Sequence, residues 1–173
     1  DGKQTVTEVA NQARNTGFKA VFFSDHGDSG LDDEPAGFGY YQNEVNGQSY
    51  GGLTAIAGRE VTIGNIKKSY CHINTYSETS NPILSDPQAT DYNPTNALNR
   101  IHGEGGFAIW NHPGKCRSMR PYVNSFDGIE IFNEYHTMND LAIYLDAVRG
   151  GWRGFIVGGM DLHSQWYPNT FLN

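Results

Sequence analysis

Metal-binding side chains stand in or directly after almost every short apolar run of this sequence. Four histidines and several carboxylates share this position: Asp25, His26, Glu60, His72, His112, Glu130, Asp161 and His163. Imidazole together with carboxylate is a ligand set that suits Zn, Mn or Fe. A single Asp or His at the end of a strand is more often a turn or cap residue. Turn and cap roles alone do not readily explain why such residues end almost every apolar run. If the runs are strands that end at the same edge of one sheet, the pattern predicts a metal site there.

The elements that would position these residues alternate between helix and strand. Apolar residues at helical spacing predict helices at 6–14, 94–102 and 141–148. Short apolar runs predict strands at 20–23, 53–61, 71–76, 107–110, 128–132 and 155–157. The continuous run at 20–23 is expected to be buried on both faces of a sheet. This alternation predicts parallel βα units, in which the carboxyl ends of the strands open on one face.

The composition is that of one folded domain covering residues 1–173. Hydrophobic residues make up 38% of the chain and aromatic residues 13%, so disorder is disfavoured. No apolar run approaches the roughly 20 residues that a membrane-spanning helix needs. The 19 acidic residues exceed the 12 Lys and Arg residues, giving a formal net charge of −7. This balance argues against general binding of nucleic acid.

Several short motifs follow one another in a fixed order along the chain. They are Asp1-Gly2 with Ser24-Asp25-His26, Gly58-Arg59-Glu60 with Cys71-His72-Ile73-Asn74, Gly105-Gly106-Phe107 with His112-Pro113, Gly128-Ile129-Glu130-Ile131 with Asn133, and Gly158-Gly159-Met160-Asp161-Leu162-His163. The ordered set resembles the PHP family, the polymerase-and-histidinol-phosphatase metalloenzymes. Glu-Val-Thr followed by His-Ile-Asn is most similar to the branch that includes carbaryl-type ester hydrolases. The resemblance implies an α/β fold, a distorted (β/α)7 TIM-like barrel.

For the site, the resemblance implies up to three divalent metal ions, of Zn, Mn or Fe. Glu60 would bridge two of them. His72 and His112 would hold one of these two ions, and Asp161 would help to hold the other. Glu60, His112 and Asp161 are therefore the residues expected at the catalytic centre. A bridging water that loses its proton near neutral pH would be the nucleophile there.

The third ion would be held by Asp1, His26 and His163, with Asp25 orienting its neighbours. The family's opening His-x-His strand would precede Asp1 and is not in this sequence. We therefore expect a partial PHP-like domain that lacks its first strand and is truncated at the N-terminus, with truncation at the C-terminus left open. The ion shared by Glu60 and Asp161 would then lack two ligands, so at most two ions per chain are expected.

Together these features predict a metal-dependent hydrolase that acts on a small phosphoester, or on a carboxyl or carbamate ester. Lys115, Arg117 and Arg120 form the densest basic cluster of the chain and would bind an anionic group such as phosphate. A solvated basic loop is the alternative interpretation of this cluster.

Two other functional classes stay open at this point. A catalytically silent barrel would act as a binding or structural module, with the aromatic loop 38–41 as a contact patch. A barrel of the amidohydrolase type would carry a bridging Lys at the end of a strand. None of the five lysines lies convincingly at such a position.

The two cysteines, Cys71 and Cys116, flank the expected ligands His72 and His112. They would form a disulfide, stay as buried thiols or contribute to the site. The low Lys content and the abundance of Asn, Tyr and Gly lean toward an exported protein. The sequence leaves the oligomeric state open.

Overall fold

The computed structural model describes residues 4–26, 45, 50–63, 71–77, 93–133 and 137–159, in which one helix and three successive strands precede an alternation of helices and strands. The elements are α1 (Val6–Asn15), β1 (Ala20–His26), β2 (Thr54–Ile63), β3 (Cys71–Ser77), α2 (Pro94–Gly103), β4 (Gly106–Trp110), a 3₁₀ helix (Arg117–Ser125), β5 (Gly128–Phe132), α3 (Thr137–Arg149) and β6 (Phe155–Gly158). All three predicted helices and all six predicted strands are present, with ends that differ by a few residues.

Capping side chains fix the start of the first two helices. At α1, the hydroxyl of Thr5 accepts the Glu8 N–H at 3.2 Å, and the Glu8 carboxylate accepts the Thr5 N–H at 2.8 Å. The turn after α1 passes through Gly17 with φ of 95°, a conformation that favours glycine. At α2, the side chain of Asn93 accepts N–H groups of the first turn, and Pro94 supplies a suitable φ.

The six strands form one curled sheet, a half-barrel, with the order β1-β2-β3-β4-β5-β6. Pairing is parallel between β1 and β2, between β4 and β5, and between β5 and β6. β3 is antiparallel to both of its neighbours. The expected mixed α/β fold with a mostly parallel sheet is confirmed, while the count of seven βα units stays a prediction.

The reversed direction of β3 decides where its polar residues lie. His72 is the second residue of β3, so in a parallel strand it would lie at the edge opposite to the other expected ligands. Because β3 runs the other way, its first residues lie beside the carboxyl end of β2. Parallel βα units alone would not have placed this histidine correctly.

The main core lies between the sheet and α2, α3 and the 3₁₀ helix. Trp110 is fully buried there and stacks on Phe126 with ring centroids 5.7 Å apart. Ile129 and Ile131 of β5 point into this layer, whereas the residues between and beside them face the other side of the sheet. A second, smaller cluster packs α1 against β1 and β2.

Two strands are less buried than the sequence predicts. Phe22 of β1 is 54% exposed, so the prediction that the run at 20–23 is buried on both faces is wrong. Phe155 and Ile156 of β6 are also exposed. The reason is position, since β1 and β6 are the two edges of the described sheet and each has a neighbour on one side only. No helix of the described residues is long and apolar enough to cross a membrane.

Candidate metal centre

Three predicted ligands converge at one end of the sheet. Glu60 Oε1 lies 2.7 Å from His72 Nδ1 and 3.6 Å from His112 Nε2. The two imidazole nitrogens lie 3.0 Å apart. All three side chains are buried, and their potential ligand atoms lie within 4.8 Å of one another. The structure thus brings these three predicted ligands together, as a group that could hold a metal ion.

The strand register explains why these side chains meet. Thr62 of β2 lies opposite His72 of β3, and Glu60 lies two residues earlier on the same face. Glu60 and His72 are therefore diagonal neighbours across an antiparallel pair. His112 follows the end of β4, and its position is linked to β3 by the Asn111 N–H, which donates to the His72 carbonyl at 3.2 Å.

The donor set and its spacing fit a divalent cation. Two imidazoles and one carboxylate are three protein ligands, the number found in catalytic zinc sites that keep one position open. A tetrahedral ion with bonds of about 2.0–2.1 Å keeps its ligand atoms roughly 3.3 Å apart. The three observed separations of 2.7, 3.0 and 3.6 Å bracket this value. The same ligand types also accept Mn or Fe.

The electrostatic environment also favours a cation. Glu130 lies close by on β5 and is 4% exposed. The pKa of Glu130 is raised to about 7, mainly by burial and to a smaller extent by the neighbouring Glu60 carboxylate, whereas the His112 N–H that Glu130 accepts acts in the opposite direction. Two acidic groups buried in each other's field are costly without a positive charge, which a bound ion would supply.

Two buried carboxylates hold the loop that carries His112. The Glu130 Oε2 atom accepts the His112 N–H at 2.6 Å, and the Asp140 Oδ1 atom of α3 accepts the Gly114 N–H at 2.6 Å. His112 has φ of 29°, in a backbone region that residues other than glycine rarely adopt. The loop is thus held in an unusual conformation from two sides.

A disulfide joins Cys71 and Cys116, which settles the alternatives that the sequence left open. Their Cα atoms lie 5.2 Å apart, and 45 positions separate them in sequence. Cys71 precedes His72 directly, and Cys116 follows His112 by four residues. The bridge therefore connects the two segments that supply the imidazoles.

The remaining predicted ligands are described in part or not at all. The backbone of His26 pairs with that of Glu60 in the β1–β2 register, so it lies at the same end of the sheet. The side chains of Asp25 and His26 lie outside the described residues, as do three further predicted ligands and the aromatic loop 38–41. These ligands are Asp1, Asp161 and His163.

The predicted substrate-binding cations are at the surface. Lys115, Arg117 and Arg120 are all exposed. The Arg120 guanidinium pairs with the Asp146 carboxylate of α3 at 3.0 Å. Arg117 and Arg120 belong to a 3₁₀ helix, where the sequence indicated a loop. Their role in binding an anion stays a prediction.

Sequence reasoning counted Glu130 among the strand-end residues that could bind metal but gave it no specific role, and it did not single out Asp140. Glu130 was visible as an acidic residue at the end of a strand, between two isoleucines that face the core. The alternation of faces along β5 would have placed it on the same side as Glu60. Asp140 gave no such signal, because its partner is a backbone N–H that is distant in sequence.

A separate cavity of about 510 Å³ lies at the opposite ends of the strands. It is lined by residues that begin or precede β4, β5 and β6, including Phe107, Asp127, Trp152 and Phe155. It contains none of the three converging ligands, so its size alone does not connect it with the metal chemistry.

No protein-family model matches the chain, and no curated protein matches it. Solved structures do resemble it. A presumed metal-dependent phosphoesterase of Bifidobacterium adolescentis superposes with a TM-score of 0.68 at 14% identity, over 98% of this chain and 86% of that one. PsfC of Pseudomonas syringae superposes with a TM-score of 0.64 at 14% identity. That superposition includes 86% of this chain and 64% of PsfC. At such identities the likeness shows a shared fold.

Proposed function

We propose that this chain is the core of a PHP-type metal-dependent hydrolase whose substrates are phosphoesters, or carboxyl or carbamate esters. The observation that carries the proposal is the buried cluster of Glu60, His72 and His112, with ligand atoms at 2.7–3.6 Å. The fold shared with a presumed metal-dependent phosphoesterase supports it. The order of the sequence motifs agrees with the buried cluster and with the shared fold.

Each residue of the cluster has a defined task in this proposal. A divalent ion, when bound, supplies Lewis-acid chemistry, which polarises an ester oxygen and acidifies water. His72 and His112 bind it through Nδ1 and Nε2. Glu60 contributes the negative charge, and as the expected bridging residue it would also serve a neighbouring ion that Asp161 would help to hold. Burial of the cluster excludes bulk water and strengthens these interactions.

Further ligands complete the proposed centre. Asp1, His26 and His163 would bind a third ion, and Asp25 would orient them. Three exposed cationic side chains follow His112 and would attract an anionic substrate to the metal centre. They are Lys115, Arg117 and Arg120. The disulfide supports an exported location, since disulfides persist mainly in oxidising compartments.

The test is turnover of chromogenic esters by the protein at its natural full length. With Mn²⁺ or Zn²⁺ added, we expect hydrolysis of p-nitrophenyl phosphate or p-nitrophenyl acetate, and a chelator should abolish it. Glu60→Ala should lose the activity because a ligand is removed. Glu104→Ala is the matched control, since Glu104 is partly exposed and pairs with Arg100 on α2, away from the cluster.

Two outcomes would contradict the proposal. Turnover that resists the chelator would indicate a different mechanism. Tight metal binding without turnover of either ester would favour a catalytically silent binding module instead.

A further inference from the structure

We propose that Glu130 is a positioning residue of the metal centre, which fixes the backbone of His112 and so directs its imidazole toward Glu60 and His72. This inference rests on the proposed function, because it takes those three residues as metal ligands. It adds a fourth residue that acts through His112. Among the described residues, the atoms that converge within 4.8 Å come from the other three and not from Glu130.

The first observation is a buried hydrogen-bond network centred on one oxygen atom. Glu130 Oε2 accepts the His112 N–H at 2.6 Å and the Asn133 Nδ2–H at 3.2 Å. All three residues are at most 4% exposed. A hydrogen bond in a buried, low-dielectric setting is strong, and loss of its acceptor would leave the His112 N–H unpaired inside the protein. The carboxylate therefore holds the His112 backbone firmly from the neighbouring strand.

The second observation is the conformation that this hydrogen bond holds. His112 has φ of 29° and precedes Pro113. A residue before proline normally adopts an extended backbone, so this conformation is unfavourable by itself. Such conformations persist where surrounding groups determine them, and they are concentrated at functional sites. Without the Glu130 acceptor, the His112 backbone would relax, and its ring would leave the point where the three ligand atoms meet.

The third observation is the close approach of the chain after β6 to the same carboxylate. A Cβ atom added at Gly159 would overlap Glu130 Oε1. A Cβ atom added at the neighbouring Gly158 would make only an ordinary contact of 3.6 Å with Phe132 Cβ. Neither glycine has a positive φ. Alanine at 159 should therefore displace the carboxylate without changing its chemistry, while alanine at 158 should leave it in place.

The experiment measures Zn²⁺ affinity by competition with a chromophoric chelator, using Zn²⁺ alone and no substrate. The binding step of interest is the one that is present in the wild type and lost in His72→Ala. We expect Glu130→Ala to weaken this step roughly 10–100-fold, the range for residues that support a metal ligand. Glu130→Gln keeps an acceptor oxygen at this position and should therefore lose clearly less affinity than Glu130→Ala.

The glycine pair provides an independent comparison in which Glu130 itself is not mutated. Gly159→Ala should weaken the same step, whereas Gly158→Ala should not. Circular dichroism and thermal unfolding identify variants that are folded at the assay temperature. If Glu130→Ala does not fold, the glycine pair and Glu130→Gln carry the test. A purely structural role for Glu130 would lower thermal stability and leave the Zn²⁺ affinity of the folded protein unchanged.

The failures of the two proposals are distinguishable. If the wild type binds Zn²⁺ in a step that His72→Ala lacks, and Glu130→Ala and Gly159→Ala keep wild-type affinity, the role of Glu130 is refuted and the metal centre stands. If the wild type has no such step, the metal centre is refuted, and the role of Glu130 is refuted with it.

Discussion

Glu60 is an acidic side chain in a buried position, and its partners His72 and His112 are bases that can stay uncharged. Burying a carboxylate is costly unless a positive charge or several hydrogen bonds compensate for it. Protonation of an imidazole is one source of that charge, and a divalent cation is another that satisfies all three groups at once. At the scale of single residues, the cluster is therefore expected to couple metal binding to the stability of the fold.

This coupling predicts that metal raises the thermal stability of the protein. Zn²⁺ at 100 times its dissociation constant should stabilise the folded state by about 2.7 kcal/mol. For a chain of this size, that corresponds to an increase in Tm of roughly 5–10 °C. Glu60→Gln should abolish the increase, and Glu104→Gln should retain it. Equal increases in both variants, measured by differential scanning calorimetry, would mean that Zn²⁺ binds elsewhere.

At the scale of elements, periodicity and apolar runs were sufficient to locate the three α-helices and the six strands of the described residues. The direction of β3 could not be read from its residues, because apolar patterning is the same for parallel and antiparallel pairing. The 3₁₀ helix Arg117–Ser125 was also missed, since it contains Pro121 and buries only Met119.

In the candidate site too, some features could be predicted from the sequence and others could not. Glu60, His72 and His112 could be proposed as ligands because ligand chemistry is visible in residue types and motif order, and the structure places them together. The support that Glu130 and Asp140 give to the His112 loop depends on contacts with backbone N–H groups. Such contacts leave no mark on the pattern of the sequence, since every residue except proline has the same donor.

The pairing of β2 with β3 predicts a strong dependence on Gly58. The ring of Tyr76 lies over this glycine, and an added Cβ would overlap the ring and also come within 2.7 Å of the Thr75 carbonyl. Gly58→Ala should therefore destabilise the protein by about 1–3 kcal/mol through overpacking. Gly103→Ala is the control, because no atom lies within 4 Å of its added Cβ. Urea unfolding that gives both variants the same midpoint would contradict this account.

The cap of α1 predicts a contrast between two threonines two residues apart. Thr5→Ala removes the capping box and should cost about 1 kcal/mol. Thr7→Ala changes an exposed residue inside the helix, where alanine has the higher helix propensity, so stability should be unchanged or slightly higher. Thermal unfolding of the two variants compares the loss of the cap with the change in helix propensity. An unchanged Tm for Thr5→Ala would show that α1 does not depend on its cap.

At the scale of the whole molecule, the disulfide links parts of the fold that are distant in sequence. It joins the first residue of β3 to the loop beyond β4 and closes a segment that contains β3, α2, β4 and about half of the buried residues of the main core. For a separation of 45 residues, loop-closure entropy in the unfolded chain corresponds to about 4 kcal/mol. The bridge also restrains the two segments that carry His72 and His112.

We therefore expect reduction to lower both stability and metal affinity. Dithiothreitol should reduce the free energy of unfolding of the wild type by about 2–4 kcal/mol in urea titrations. The double variant Cys71→Ser/Cys116→Ser should match the reduced wild type and should not respond to dithiothreitol, which controls for effects of the reagent. Zn²⁺ affinity is measured on the double variant without reductant, because dithiothreitol itself binds Zn²⁺. Because the variant keeps all three ligands, weaker binding would show that the bridge preorganises the centre. Wild-type affinity in the variant would show that the half-barrel alone holds the two imidazoles in place.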